Sequence, residues 1–305
     1  MKKLLLLLLV SVLSFSLLAG CSNSKTTGTE QNNEKEVSKC DPNKKAVLVV
    51  SFGTSHNETR KLTIEATEAK IAKAFPDYDF KKAFTSQFII NKLKKRDGLE
   101  IDNVKQALEK LVSEGYGEVL IQSLHVMNGA EYHDTLELVN NYKDKFEKIT
   151  FGNPLLTSPE DYMNLVDVLS KEIPTLKEDE ALFFMGHGTH HFSNSAYACL
   201  DYTFKYKGYD NIYIGTVEGY PSLDTLLDIT KDKNYKKIYL MPLMVVAGDH
   251  AKNDMAGDEE DSWKMILESK GYKVEPIIKG LGQIEGVQDL YIQHLKDSLN
   301  TQEAE

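Results

Sequence analysis

Residues 50–56 read VSFGTSH and residues 185–191 read MGHGTHH. Each stretch begins with the last residue of an apolar run. Both have the pattern of a strand that ends in a Gly-Thr turn. A second pair, residues 118–129 (EVLIQSLHVMNG) and residues 237–248 (KIYLMPLMVVAG), aligns in the same order along the chain. A repeated order of segments indicates a duplicated structural unit. The alternative is chance, since apolar strands align easily with one another.

Short β-rich runs alternate with amphipathic segments throughout the body of the chain. Helical periodicity is clear in residues 104–113 and 162–169, where apolar side chains recur on one face. Strand and helix in alternation predict parallel sheets with helices on both faces. The predicted fold class is α/β, with two similar domains, residues 44–178 and 179–305, facing each other across a cleft. Strands are predicted at residues 46–52, 118–124, 148–151, 181–185, 212–216, 237–243 and 273–277.

Composition excludes several classes of protein. The chain has 305 residues with 41% hydrophobic and 27% charged residues, which fits neither a disordered chain nor a multi-span membrane protein. With 36 Lys and Arg against 46 Asp and Glu, the net charge of -10 disfavours nucleic acid as a partner. The 3 cysteines are too few for a disulfide framework or a four-cysteine zinc site. Any metal site must therefore use His and carboxylates.

The first residues have the pattern of an export signal. A basic start is followed by an apolar run, residues 4–18, which is shorter than the about 20 residues of a membrane-spanning helix. Residues 18–21 (LAGC) resemble the lipobox of bacterial lipoproteins, in which the cysteine is lipidated. We therefore expect a signal peptide at residues 1–20, a lipid anchor at Cys21 and a flexible tether to residue 43. The protein would be exported and anchored on the extracytoplasmic side of the cell membrane; the alternative is an ordinary secreted protein.

Three candidate metal ligands follow successive strands of the second half. His187 comes after the strand at 181–185, Glu218 after 212–216, and His250 after 237–243. In open α/β sheets, ligands bind at the carboxyl ends of the strands, so these side chains are expected to converge. Two imidazoles and a carboxylate suit a divalent first-row ion with open coordination positions. The sequence therefore predicts a metal site at this edge.

Each of these residues also has a structural interpretation. A single His near a strand end is commonly a hydrogen-bonded loop residue, and Glu218 would favour a helix N-terminus. His190 and His191 are expected to cap a helix or face solvent. The sequence contains no GxGxxG, Walker A or GxSxG motif, which weakens nucleotide-binding and serine-hydrolase interpretations.

Longer stretches give a more specific indication. The sequence resembles the anaerobic sirohydrochlorin cobaltochelatases of cobalamin synthesis, members of the class II chelatase superfamily that includes protoporphyrin ferrochelatase. The resemblance covers nearly everything after the tether. It is carried by VVSFGTS (49–55), AFTS (83–86), QSLH (122–125), FMGHG (184–188), AYACLD (196–201), VEGY (217–220), MPLMVVAGDH (241–250), NDMAG (253–257) and DSWKM (261–265).

The resemblance implies a tetrapyrrole cleft between two α/β halves, with the metal held at His187, Glu218 and His250. The implied reaction inserts Co2+ into sirohydrochlorin with loss of two protons and no nucleotide hydrolysis, and Fe2+ is a second candidate metal. His is suited both to holding a metal and to accepting a pyrrole proton near neutral pH. The polycarboxylate substrate is expected to bind at Ser51, Thr54, Ser55, Ser86 and His125, with nearby Lys or Arg.

The export signal leaves a second function open. A surface lipoprotein could instead capture haem, another tetrapyrrole or a metal for uptake. His133 lies on a predicted helix whose apolar side includes Leu136 and Val139. His133 is expected to face solvent. The alternative is that His133 is an axial ligand of a haem that is shared across the interface of a homo-oligomer.

Overall fold

The computed structural model describes residues 40–304; residues 1–39 and Glu305 lie outside the described range. The predicted signal peptide, the Cys21 anchor and most of the predicted tether therefore lie outside it. Residues 40–304 belong to one compact unit. No helix of residues 40–304 is both long and apolar enough to cross a bilayer.

Eight strands form two parallel sheets of four strands each within the described residues. The strand order is β2-β1-β3-β4 in the first sheet and β6-β5-β7-β8 in the second. The two orders are the same when the strands of each half are counted from its start, so the predicted duplication is confirmed at the level of topology. The strands are β1 (Asp41–Ser51), β2 (Asp79–Phe84), β3 (Tyr116–Ser123), β4 (Lys148–Gly152), β5 (Glu180–Gly186), β6 (Ile212–Thr216), β7 (Lys237–Pro242) and β8 (Lys273–Pro276).

Helices flank both sheets, as the α/β prediction requires. The α-helices are α1 (Asn57–Leu62), α2 (Ile64–Ala74), α3 (Gln87–Asp97), α4 (Val104–Ser113), α5 (Ala130–Asn140), α6 (Pro159–Leu169), α7 (Ser195–Tyr206), α8 (Leu223–Thr230), α9 (Trp263–Ser269) and α10 (Glu285–Ala304). A short π-helix occupies Ala251–Met255. Side-chain caps define several helix starts: Asn103 forms a capping box with Gln106 at α4, and Ser158 forms one with Asp161 at α6.

The central strands are buried on both faces. Residues 46–50 of β1 and 181–185 of β5 are fully covered. This is the usual state of parallel strands between two layers of helices, and it explains their continuous apolar runs. The strand ends are the places where the chain returns to solvent, so polar chemistry is concentrated there.

Two details of the first half differ from the sequence prediction. The tether was predicted to reach residue 43, but β1 begins at Asp41, whose amide donates to the carbonyl of Gly115 over 2.9 Å. The strand β2 was not predicted at all. It is an edge strand with two exposed residues at its start and two lysines, Lys81 and Lys82, so it lacks an apolar run.

The last helix packs on the first sheet, although it follows the second along the chain. The Tyr291 hydroxyl of α10 donates to the carbonyl of Leu124 at the end of β3 over 3.2 Å. His294 contacts Asp161 of α6 through a buried hydrogen bond of 2.9 Å. The helix thereby joins the C-terminal end of the chain to the first half.

Candidate metal centre and cleft

The three predicted metal ligands converge at the carboxyl edge of the second sheet. One ligand atom from each of His187, Glu218 and His250 lies within 4.8 Å of the others. No second group of three or more His, Cys, Asp or Glu with this geometry occurs in residues 40–304. The side chains of His187 and Glu218 are about half exposed, so the group opens to solvent on one side.

Glycines shape the loop that carries His187. Gly188 has a φ of +89°, and a Cβ atom there would lie 2.6 Å from the amide nitrogen of Gly219. A Cβ atom on Gly186 would lie 2.2 Å from the ring of Tyr197. Any larger residue would push the loop away from its neighbours, so both glycines are needed for close packing. The Tyr197 hydroxyl accepts a hydrogen bond from the Gly188 amide over 3.2 Å.

Glu218 is held beside His187 by the backbone. The Glu218 amide donates to the carbonyl of His187 over 2.8 Å, and its Oε2 atom lies 3.8 Å from His187 Nε2. Asn194 links the two loops: its Oδ1 accepts from the Thr189 amide over 3.0 Å, and its Nδ2 donates to the Tyr220 carbonyl. The alternative interpretation, in which Glu218 favours a helix N-terminus, gains no support from a cap contact, because Ser222 caps α8.

His250 is oriented by a carboxylate. Its Nδ1 atom lies 2.8 Å from Asp254 Oδ2, and the two residues are four apart across the π-helix. The ring of His250 stands at 83° to that of His187, with 4.8 Å between ring centroids. A carboxylate behind a ligating histidine fixes the ring and raises the basicity of the other nitrogen.

Hydrogen bonding leaves one nitrogen of each imidazole free to bind a metal. His187 Nδ1 faces the Gly188 carbonyl at 2.9 Å and must be the protonated nitrogen, as is His250 Nδ1 beside Asp254. The Nε2 atoms therefore carry the lone pairs. Two ligands each about 2.1 Å from one ion are about 3.4 Å apart in tetrahedral geometry. The 3.8 Å between His187 Nε2 and Glu218 Oε2 is close to that spacing.

The predicted substrate residues of the first half lie at the ends of β1 and β2. Ser51, Thr54 and Ser55 are buried, and Ser51 Oγ has no hydrogen-bond partner among the described residues. Thr54 Oγ1 accepts from the His56 amide over 3.2 Å. Ser86 caps α3, where its Oγ accepts from the Ile89 amide. Thr54 and Ser86 therefore hold the strand-end loops through local hydrogen bonds, whereas the buried Ser51 hydroxyl keeps its hydrogen-bonding capacity unused.

His125 is already fully hydrogen-bonded. Its Nδ1 lies 2.6 Å from Ser123 Oγ, and its Nε2 lies 3.2 Å from Glu131 Oε2, which also accepts from the Thr85 hydroxyl. The imidazole is largely buried, and both nitrogens are engaged within the first half. In the alignment of residues 118–129 with 237–248 it corresponds to Met244 rather than to a triad residue.

His133 does not stand alone in solvent. It lies on α5 as predicted, but its ring is half-buried and packs against His191, with 5.1 Å between centroids, and Phe192, with 6.0 Å. His191 caps a short 3-10 helix, and its Nδ1 accepts from the Ser193 amide over 3.2 Å. His190 is exposed. The expectation of a solvent-facing His133 is therefore only partly met.

Sequence reasoning missed three supporting residues. Asn194, Tyr197 and Asp254 hold the loops and the ring that carry the triad. Tyr197 and Asp254 lie within the AYACLD and NDMAG stretches, but no spacing rule marks a residue whose role depends on a neighbour folded against it. A signal existed only for Asp254, since it lies four residues after His250, one helical turn away.

Comparison with known proteins gives a consistent picture. Residues 45–300 match the family model described as cobalt chelatase (CbiK). A sirohydrochlorin cobaltochelatase of Salmonella typhimurium (strain LT2) is 45% identical over 257 residues, covering 84% of this chain and 97% of that protein. Sirohydrochlorin cobaltochelatase CbiKC of Nitratidesulfovibrio vulgaris (strain Hildenborough) is 35% identical over 255 residues, covering 83% of this chain and 89% of that protein.

Among solved structures, SirB from Bacillus subtilis with Fe3+ superposes with a TM-score of 0.62 at 12% sequence identity. The match covers 86% of this chain and 98% of that one, and it shows that the two proteins share the two-sheet α/β fold. The family match spans both sheets and includes His187, Glu218 and His250. The chain belongs to the cobalt chelatase (CbiK) family.

Proposed function

We propose that this protein inserts Co2+ into sirohydrochlorin, with release of two protons and without nucleotide hydrolysis. The observation that carries the proposal is the convergence of His187, Glu218 and His250 within 4.8 Å at an open strand edge. The two relatives described above are named as sirohydrochlorin cobaltochelatases. The uptake lipoprotein is the less favoured function, since the enzyme's proposed ligand set is complete.

The site is suited to exchanging a metal for protons. The two Nε2 atoms and the Glu218 carboxylate bind the incoming Co2+, which keeps open positions on its solvent side. As two pyrrole N–H groups of the macrocycle lose their protons, the pyrrole nitrogens take the metal. Each imidazole that releases the metal regains a free Nε2 lone pair, which accepts a proton. The Asp254 carboxylate stabilises the positive charge that then forms on His250.

Substrate carboxylates need local positive charge, because the chain is acidic overall. A recess of about 260 Å³ beside the start of α1 is lined by His56, Arg96 and Lys252, with Glu58 as its acidic member. Burial, followed by the charge of Lys252, lowers the pKa of His56. Arg96 and Lys252 are the basic side chains that this recess offers to a substrate carboxylate. Lys252 lies two residues after His250, so the recess adjoins the proposed metal centre.

The metal and the location are further parts of the proposal. Fe2+ is proposed as a second substrate metal, since two imidazoles and a carboxylate also suit iron. The protein is proposed to be exported and held at the membrane by a lipid on Cys21, as a member of a family whose macrocycle is made inside the cell. The macrocycle would then have to be transported across the membrane to reach the protein.

A haem-binding role for His133, in a homo-oligomer, is proposed as a secondary property. The neighbouring rings of His191 and Phe192 provide an apolar and polarisable surface for a macrocycle. Added haem is expected to give a Soret band that His133→Ala abolishes while cobalt insertion continues. An unchanged haem spectrum in that variant would remove His133 from consideration.

The function is tested by following cobalt insertion into sirohydrochlorin through its absorption spectrum. His187→Ala and His250→Ala are each expected to lower turnover by about a hundredfold or more, on the scale of a lost ligand or base. His190→Ala is the matched control, because His190 is an exposed histidine of the same loop outside the triad. Unimpaired turnover in either triad variant, or an equal loss in the control, would contradict the assignment.

A further inference from the structure

The chain leaves β1 and β5 through the same set of backbone hydrogen bonds. The Ser86 amide donates to the Phe52 carbonyl over 3.3 Å, and the Glu218 amide donates to the His187 carbonyl over 2.8 Å. The glycines that follow, Gly53 and Gly188, have φ values of +91° and +89°. Two further backbone bonds recur in both halves. The Thr85 amide donates to the Ser51 carbonyl as the Val217 amide donates to that of Gly186. The Leu124 amide likewise donates to the Val50 carbonyl as the Leu243 amide donates to that of Met185. Phe52 therefore occupies the position of His187.

The first half carries no working copy of the metal triad. The equivalent of Glu218 is Ser86, which caps α3. By the alignment of residues 118–129 with 237–248, the equivalent of His250 is Glu131, which is bonded to Thr85 and His125. The polar members are thus engaged within their own half. Phe52 differs, because 49% of its surface is exposed at the middle of the strand edge.

Crosswise contacts place the two strand edges opposite each other. A Cβ atom on Gly248, just before His250, would lie 3.8 Å from the ring of His56, four residues after Phe52. His56 Nε2 also lies 3.9 Å from Asp249 Oδ1. In the reciprocal contact, a Cβ atom on Gly129 would lie 3.6 Å from Ser193 Oγ, in the loop after His187. The strand edge that carries the exposed Phe52 therefore faces the strand edge that carries the triad.

We propose that the Phe52 ring stacks on the face of the tetrapyrrole opposite the metal triad. The inference rests on the proposed function, since a flat conjugated macrocycle is the ligand. An exposed phenyl ring gains by covering such a face, both through apolar burial and through offset ring stacking. A macrocycle held against Phe52 presents its other face to His187, Glu218 and His250. The duplicated fold thus supplies a metal-binding wall and a stacking wall.

Binding of metal-free sirohydrochlorin to the purified protein tests this role without catalysis. Phe52→Ala is expected to raise the Kd about 3- to 10-fold, the range for one lost aromatic contact. Phe52→Trp is expected to bind about as tightly as the wild type, with quenching of the new indole emission by the ligand. The single native tryptophan, Trp263, is buried and provides the constant background. Co2+ binding without macrocycle should be the same in all variants.

The control is Phe88→Ala, since Phe88 is 72% exposed but lies on α3. An unchanged Kd in Phe52→Ala, or an equal rise in Phe88→Ala, would overturn the stacking role while leaving the proposed function intact. Loss of Co2+ binding in Phe52→Ala would show damage to the triad wall and would also overturn it. A wild-type protein that neither binds sirohydrochlorin nor inserts cobalt would overturn the proposed function, and the inference with it.

Discussion

His250 Nδ1 lies 2.8 Å from Asp254 Oδ2, across a π-helix that begins at the next residue, Ala251. A π-helix widens the turn and changes which side chains meet along it. Here the Asp254 carboxylate contacts Nδ1 of the His250 imidazole, and the Nε2 atom on the other side of the ring stays available to a metal. The pair therefore couples the local backbone geometry to the orientation of a proposed metal ligand.

Replacing Asp254 should weaken metal binding without removing a ligand. Asp254→Asn is expected to lower Co2+ affinity about 10- to 100-fold, because the amide supports the ring less well and no longer stabilises its charge. Isothermal titration with Co2+ measures the effect. Asp258→Asn is the control, since Asp258 is exposed and paired with Lys264. Equal affinities in the wild type and Asp254→Asn would show that the contact does not support the site.

The buried pair between His294 and Asp161 should hold α10 on the first half. His294 faces two acceptors, Asp161 Oδ1 at 2.9 Å and the Asn153 carbonyl at 3.4 Å. Asp161→Asn is expected to lower the free energy of unfolding by about 3 kcal/mol, as for a broken buried pair. Urea unfolding measures it, with the exposed Asp167→Asn as control.

The effect of Asp161 should depend on pH in a defined direction. Burial favours the neutral acid, but hydrogen bonds from His294 and the Ser158 amide outweigh it and hold the pKa of Asp161 below 3.8. Its contribution to stability is therefore present above about pH 4 and lost as the pH falls through the depressed pKa. A difference between wild type and variant that persists undiminished at pH 2 would contradict this account.

Glu68 should make the protein less stable as the pH rises. Burial raises the pKa of Glu68 to about 7, against the opposing charge of Lys82 at 3.7 Å. The folded state then binds this proton more tightly than the unfolded state, so stability falls between about pH 4.5 and 7. Glu68→Gln is expected to be more stable than the wild type at pH 8 by about 3 kcal/mol and similar at pH 4. Parallel stability profiles from pH 4 to 8 would contradict it.

Lipid attachment should depend on Cys21 alone among the three cysteines. Cys21→Ser is expected to leave the protein without lipid and release it from the membrane fraction, because the acyl chains provide the anchor. Mass spectrometry of the N-terminal peptide and cell fractionation measure both. Cys40→Ser is the control and should remain lipidated. A Cys21→Ser protein that is unlipidated yet still membrane-bound would show that the apolar segment itself is the anchor.

The fold class was predictable from local patterns. Parallel strands between helices are covered on both faces, so β1 and β5 appear in the sequence as unbroken apolar runs. The helix at Val104–Ser113 was predicted at its exact bounds, since its apolar stripe and the Asn103 cap are both local features. The edge strand β2 escaped because one side of it faces solvent and the residues are correspondingly polar.

The site was predictable in part. His187, Glu218 and His250 could be identified because parallel strands end at a common edge, so three residues distant in sequence must come near each other. Asp254 and Asn194 were not identified, because their roles depend on hydrogen bonds that form only in the folded chain. His125 was identified as a substrate residue, but Ser123 and Glu131 already engage its ring.

The sequence by itself determined the alternation of strands and helices, the duplication and the strand-end histidines, because each depends on residue type at a fixed local spacing. Only the tertiary structure decided that α10 returns to the first sheet and that the strand edge carrying Phe52, which the alignment already pairs with His187, faces the edge that carries the triad. Those relationships depend on which surfaces bury each other. Burial is a property of the whole folded chain, in which residues more than a hundred positions apart share one neighbourhood.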